Sequence, residues 1–187
     1  MKGVIFNLLE RFIVDGWGDH VYDEILAGCP LHTQGAFVGP ATYPDADLFA
    51  IVGKTCERLG LPPATALHAF GRYLAPRLAE RVPGLVAAHA HPKTFLQTID
   101  DVIHVEVRKL FKDAQPPRVT WTDPGPDQLV LHYSSTRPLC GLVGGLIEGT
   151  GLMFAVPLTQ TQIRCRAQGA PTCDFEVRFA AASGLAA

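Results

Sequence analysis

The hydrophobic period of this chain changes once, between residues 115 and 118, and that single change restricts it to an α+β fold. Up to about residue 115, strings such as LFAIVGKTCERLG and ATALHAFGRYLAPRLAERV place apolar residues three and four apart between Pro and Gly breaks, as helices buried on one face require. From Arg118 the period drops to two. RVTWT, DQLVLHYSS and VRF alternate or bunch β-formers around the turn signals DPGPD and QGAPT, which predicts an antiparallel sheet. The expected architecture is therefore an N-terminal helical subdomain packed on a C-terminal antiparallel sheet with helices. Asp45 or Asp47 and Ala64 stand near helix starts, and GCPLHTQGAFVGPATYPDADL, rich in Gly and Pro, reads as a long loop joining the first helical stretch to the next. Between the strands lies LCGLVGGLIEGTG, a helix whose glycines admit another surface closely.

At 187 residues the chain is expected to form one domain. It is 48% hydrophobic and 18% charged, greasier than an average domain, so apolar residues remain for an internal cavity. With a net charge of −2 and no Lys/Arg stripe, binding to nucleic acid or to an anionic membrane is not expected. Neither a signal-type apolar segment nor 18 consecutive apolar residues is present, which predicts a cytoplasmic protein without a membrane partner. Five cysteines, an odd number, point to free thiols, a metal site or a redox switch rather than a disulfide framework. No acid/base pair or activated nucleophile is evident, so an enzyme is not expected. Asp100 and Asp101, the adjacent carboxylates before His104, read as a solvated face.

Two features carry chemistry. HPKTFLQTIDDVIHVEVRKLFKD reads as the longest helix, opened by His91-Pro92 and followed by Pro116-Pro117. On a helical wheel Leu96, Ile103, Val107, Leu110 and Phe111 form one apolar arc, with His104 at its edge. Such a histidine is either a core-edge residue bonded to a backbone carbonyl or an axial ligand to a metal or haem iron. In LHYSSTRPLC, Tyr133, Ser135 and Arg137 share one face if the strand stays extended over residues 128 to 137. Three donors on a face prepared by leucines either fray into solvent or meet an acceptor, and the Arg fork suits a carboxylate or phosphate.

In this order and spacing, the opening MKGVIFNLLERFI, the stretch from His104 to PPR at 116 to 118, the motif YSSTR and the following GLIEG resemble the haem nitric oxide/oxygen-binding family, H-NOX or HNOB. The resemblance runs the length of the chain. It implies one domain over 1–187, with a helical subdomain at 1–65 and the haem-proximal helix and sheet at 66–187, and haem b between the two halves. It makes His104 the proximal iron ligand, Tyr133, Ser135 and Arg137 the partners of the propionates, and Pro117 the residue that presses on the porphyrin. Ile5, Leu9, Leu74 and Leu142 become haem-pocket residues. Where O₂-holding members place a distal tyrosine this chain has Leu142, and Leu9 and Leu74 are also apolar, so the resemblance implies a sensor of NO (and CO) that excludes O₂. Tyr73 beside Leu74 is the residue that would alter this reading. The implied signal is release of His104, read by a separate histidine kinase or cyclic-di-GMP enzyme.

Cys165 and Cys173 lie symmetrically about Gly169 and would face each other across a hairpin. With Cys140 they match the cysteines of a zinc or redox site in some H-NOX members, but Gln162 stands where those members have His. A zinc site, a disulfide, free oxidisable thiols, and thiols packed with Ile163 and Phe175 all stay open. Cys56 reads as helix core and Cys29 as loop. A Gly-containing turn before a final Cys-x-Phe also resembles V4R-like domains, haem-free binders of small ligands, which would leave His104 and Arg137 unexplained.

Overall fold

The computed structural model describes residues 1–33 and 35–180; Gln34 of the long loop and residues 181–187 of the expected domain lie outside them. Helices α1 (Gly3–Trp17), α2 (Asp19–Ala27), α3 (Asp45–Leu59) and α4 (Pro63–Ala79) form the N-terminal part, followed by the short α5 (Pro83–Ala87). Then come α6 (Pro92–Gln97), a π-helical turn at Ile99–Ile103 and α7 (His104–Leu110). The remainder is β1 (Arg118–Gly125), β2 (Gln128–Ser134), α8 (Cys140–Met153), β3 (Leu158–Arg164) and β4 (Cys173–Phe179). The four strands make one antiparallel sheet in the order β1-β2-β4-β3. The α+β architecture expected from the change of period is the one observed.

Two apolar cores result. One gathers Phe6, Leu9, Ile13, Ile51, Phe70 and Leu74 from α1, α3 and α4 with Leu142 from α8. The other joins Leu129, Leu131, Phe175 and Val177 of the sheet to Leu96 and Ile147. Helix α8 contributes to both, and its glycines let it do so. A Cβ on Gly145 would sit 2.0 Å from the His68 carbonyl oxygen, and one on Gly71 of α4 would sit 2.2 Å from the Leu142 carbonyl oxygen. Contacts advance together along both helices, from Ala64 with Gly141 to Ala75 with Gly149, so α4 and α8 run parallel with their backbones touching.

The continuous helix expected over 91–113 is broken. His91 does cap α6, its ring accepting from the Lys93 amide at 3.2 Å. The Thr98 hydroxyl then bonds back to the Phe95 carbonyl at 2.8 Å, and the Ile103 amide reaches the Thr98 carbonyl five residues earlier at 3.1 Å. β-Branched residues at 98, 99, 102 and 103 disfavour regular helix here. The wider turn slips the wheel, so Leu96 reaches the core while Leu110, expected on the same arc, is 69% exposed. The longest described helix is α4, not this one. Contacts of Lys93 and Trp121 dock the segment on the sheet. Lys93, almost fully buried, donates from Nζ to Asp123 and to the Gly125 carbonyl, both at 2.7 Å, and Trp121 Nε1 donates to the Gln97 carbonyl at 2.9 Å.

The glycine seam should be intolerant of side chains. Gly145→Val is expected to lower unfolding free energy by about 3 kcal/mol, measured by urea denaturation. Gly53→Ala, inside α3 where an added Cβ meets nothing within 4 Å, should instead stabilise by about 0.5–1 kcal/mol.

Candidate functional site

His104 opens α7 directly after the π-helical turn, with its side chain 14% exposed. Its Nδ1 lies 3.2 Å from Asp100 Oδ1. Burial is the largest influence on the ring and holds its pKa below the ordinary value, against the opposing pull of Asp100 and of the Pro117 backbone. The imidazole is therefore neutral at pH 7, as an iron ligand must be. The solvated-face reading of Asp100 is corrected: only its neighbour Asp101 is exposed.

The Tyr-x-Ser-x-Arg stretch departs from the extended form expected for it. Strand β2 ends at Ser134, and the Arg137 amide folds back onto Ser135 Oγ at 3.1 Å. The three donors still converge. Tyr133 is buried, and burial pushes its phenol up while Ser135 and Arg137 pull it down. Arg137 extends across to the N-terminal half, where Nε donates to Asp45 Oδ2 at 2.7 Å and an Nη to the Gln115 carbonyl at 2.8 Å. The Met1 amine donates to Asp45 Oδ1 at 2.8 Å. Burial works against the Asp45 carboxylate, but the Met1 amine and Arg137 together hold its pKa below the usual range. Sequence reading had marked Asp45 only as a helix start; nothing local pairs residues 92 positions apart.

Leu9, Leu74 and Leu142 lie in one buried apolar cluster, against which Ile5 packs half-buried. Tyr73 offers this cluster no hydroxyl. Its Oη donates to Asp15 Oδ2 at 2.5 Å, and the Arg77 guanidinium covers its ring at 3.3 Å. Pro117 is half-buried beside the His104 ring. A neutral imidazole, a convergent Tyr–Ser–Arg set and an apolar cluster fit a haem: ligand, propionate partners and walls.

The model of the haem-NO-binding family matches residues 2–162. The chain belongs to the H-NOX family. H-NOX domains are haem-based gas sensors rather than catalysts, and of the two resemblances weighed on sequence this match supports the first. An H-NOX protein from S. oneidensis in the Fe(II)NO ligation state is 31% identical, with a TM-score of 0.89 over 97% of this chain and 100% of that one. A triple mutant of an S. oneidensis H-NOX protein in the Fe(II) ligation state is 32% identical, with a TM-score of 0.90 over 97% of each chain. An H-NOX protein from K. algicida, 23% identical over 98% of each chain with a TM-score of 0.86, shares the fold. No helix among the described residues is long and apolar enough to cross a membrane.

The cysteine reading is sharpened. The sulfurs of Cys140, Cys165 and Cys173 lie within 4.8 Å of one another, placed by the start of α8 and the two sides of the β3–β4 hairpin, where Gly169 takes φ +90°. Of the open alternatives, packing with Phe175 is present but packing with Ile163 is not, that side chain being exposed beside the register shift of β3 between Gln162 and Arg164. Gln162 Nε2 donates to the Arg164 carbonyl at 3.1 Å, and the Gln162 side chain also bonds the Cys165 thiol. Cys56 is buried in α3 and Cys29 follows α2, as expected. The Ala167 amide, and then bonds from Cys140, Cys173 and Gln162, hold the Cys165 thiol below the ordinary range, whereas burial pushes Cys173 and Cys56 up. In reduced, metal-free protein Cys165 should therefore alkylate first with iodoacetamide and stay reactive at lower pH than Cys173 or Cys56, as followed by peptide mass spectrometry.

Proposed function

We propose that this H-NOX chain is a haem-b NO sensor that excludes O₂ and signals by release of its proximal histidine. The observation that carries the selectivity is the apolar cluster of Leu9, Leu74 and Leu142, with the phenol of Tyr73, the neighbour of Leu74 in sequence, engaged by Asp15. When bound, haem supplies a ferrous centre that takes NO and CO without a distal donor, whereas O₂ gains much of its affinity from one. In this reading Ile5, Leu9, Leu74 and Leu142 form the distal wall and keep water and donors away. His104 offers Nε2 to the iron because Nδ1 is engaged by Asp100. Tyr133, Ser135 and Arg137 would hold the propionates by charge-assisted bonds, and Pro117 would lie against the porphyrin. That H-NOX structures from S. oneidensis are described in Fe(II)NO and Fe(II)CO states supports the same ligands here.

Release of His104 would free the π-helical turn and α7, letting α1 to α3 shift against the rest of the chain. Such a two-state element converts a local ligand into a surface change. A separate protein, a histidine kinase or a cyclic-di-GMP enzyme, would read it in the cytoplasm. Arg137 lies across this boundary through Asp45, so it would feel the shift directly.

The three-cysteine cluster supports a second, haem-independent reading. Gln162 is a poor zinc ligand, so the cluster falls one protein ligand short of a closed tetrahedral site. Close sulfurs with a lowered Cys165 pKa favour a reversible disulfide formed when an external two-electron oxidant such as a peroxide takes the electrons, with zinc bound by three cysteines as the competing state.

The ferrous protein is expected to form no oxy complex on exposure to air while responding to NO; a stable oxy spectrum in air would overturn the selectivity. Leu142→Tyr should raise O₂ affinity about 10- to 100-fold, the effect of one charge-assisted hydrogen bond, read by O₂ titration. Arg137→Ala should speed haem transfer to apomyoglobin, since the propionates lose their strongest donor.

A further inference from the structure

We propose that Asp100 is the positioning residue of the haem ligand, setting the tautomer of His104 and tying its ring to the start of β1. The proposal rests on the assignment of His104 as the iron ligand and goes beyond it to the group that controls the ligand.

Three observations meet at one oxygen. Within the π-helical turn at Ile99–Ile103, the Asp100 carboxylate lies against the ring, with Oδ1 3.2 Å from His104 Nδ1. The same Oδ1 accepts from the Val119 amide, the second residue of β1, at 3.4 Å. Both groups are sheltered, the side chains of His104 and Asp100 being 14% and 25% exposed. An acceptor at Nδ1 places the single proton of a neutral imidazole there and leaves the Nε2 lone pair for metal. A carboxylate in that role also makes the ligand more basic, so the metal–histidine bond strengthens. Asp100 stands four residues before His104, a spacing that brings the two side chains together on one helical face, and the π-turn between them is of a kind that recurs at functional sites.

The Val119 contact gives the arrangement a second consequence. The ring and the sheet compete for, and share, one acceptor. A movement of His104 away from the metal would pull on the carboxylate that holds β1, and β1 is also fastened to α6 by Trp121 and the Gln97 carbonyl at 2.9 Å. Asp100 therefore connects the ligand to the sheet edge over a path of two hydrogen bonds. Asp101, one residue on and exposed, has no such geometry and serves as the internal control.

The test is resonance Raman spectroscopy of the ferrous, unliganded holoprotein, which reads the iron–histidine stretch directly. Asp100→Asn keeps the shape and leaves a weaker acceptor; Asp100→Leu removes it. The stretch is expected to move to lower frequency in the order wild type, Asn, Leu, with haem transfer to apomyoglobin about 10-fold faster or more in Asp100→Leu. Asp101→Asn should leave both unchanged. Coincident stretches for wild type and Asp100→Asn, or loss of the far-ultraviolet helical signal along with haem in that variant, would overturn the proposal by reducing Asp100 to a surface pair or a folding residue. His104→Gly distinguishes the underlying assignment: persistence of the stretch there refutes His104 as ligand whatever Asp100 does.

Discussion

The backbone contact between α4 and α8 is the constraint on which the rest of this structure depends. Gly71, Gly145 and Gly149 remove the Cβ atoms that would hold the two helices apart, and the parallel pair then carries Leu74 and Leu142 into the same apolar cluster. Because α8 also presents Ile147 to the sheet core, the seam joins the helical half to the β half. A side chain in the seam would not leave a cavity to be refilled; it would push two main chains apart, which packed interiors resist.

Around that seam the polar groups act as ties across the same boundary. Arg137 bridges to Asp45, and Lys2 pairs with Asp113, just beyond α7, while the Thr42 hydroxyl takes the other carboxylate oxygen. Asp113 is held at a pKa of about 2, first by the bond from Lys2 and then by that from Thr42. These contacts fasten the N-terminal strap and the 40–45 loop to the segment that leads from His104 into the sheet. Movement of α7 cannot remain local while they persist, and this gives the proposed release of His104 a route to the surface.

Much was legible in the chain alone. The drop in period after residue 115 specified helices followed by an antiparallel sheet, since a strand cannot satisfy a three-four spacing. Gly-rich 140–151 announced a close helix contact, and the symmetry of Cys165 and Cys173 about Gly169 announced a hairpin pair, because both are statements about neighbours in sequence. The polar strand LHYSSTRPLC was readable as three donors in need of an acceptor. What it could not show was that the chain folds back at Ser135, or that Asp45 would meet Arg137.

The remaining decisions belong to tertiary structure. The helix bearing His104 looks continuous because its apolar spacing is regular; its middle is a π-turn, and contacts of Lys93, Trp121 and Asp100 with β1 hold the segment there. Tyr73 and Leu74 are adjacent in sequence, and only the pairing with Asp15 turns the phenol away from the leucines. Periodicity by itself determined the class of fold and the inward faces of the regular elements, since that depends on backbone geometry repeated along one segment. Which polar groups meet, and at which atom, depended on segments far apart in the chain, and only the folded arrangement brings those together.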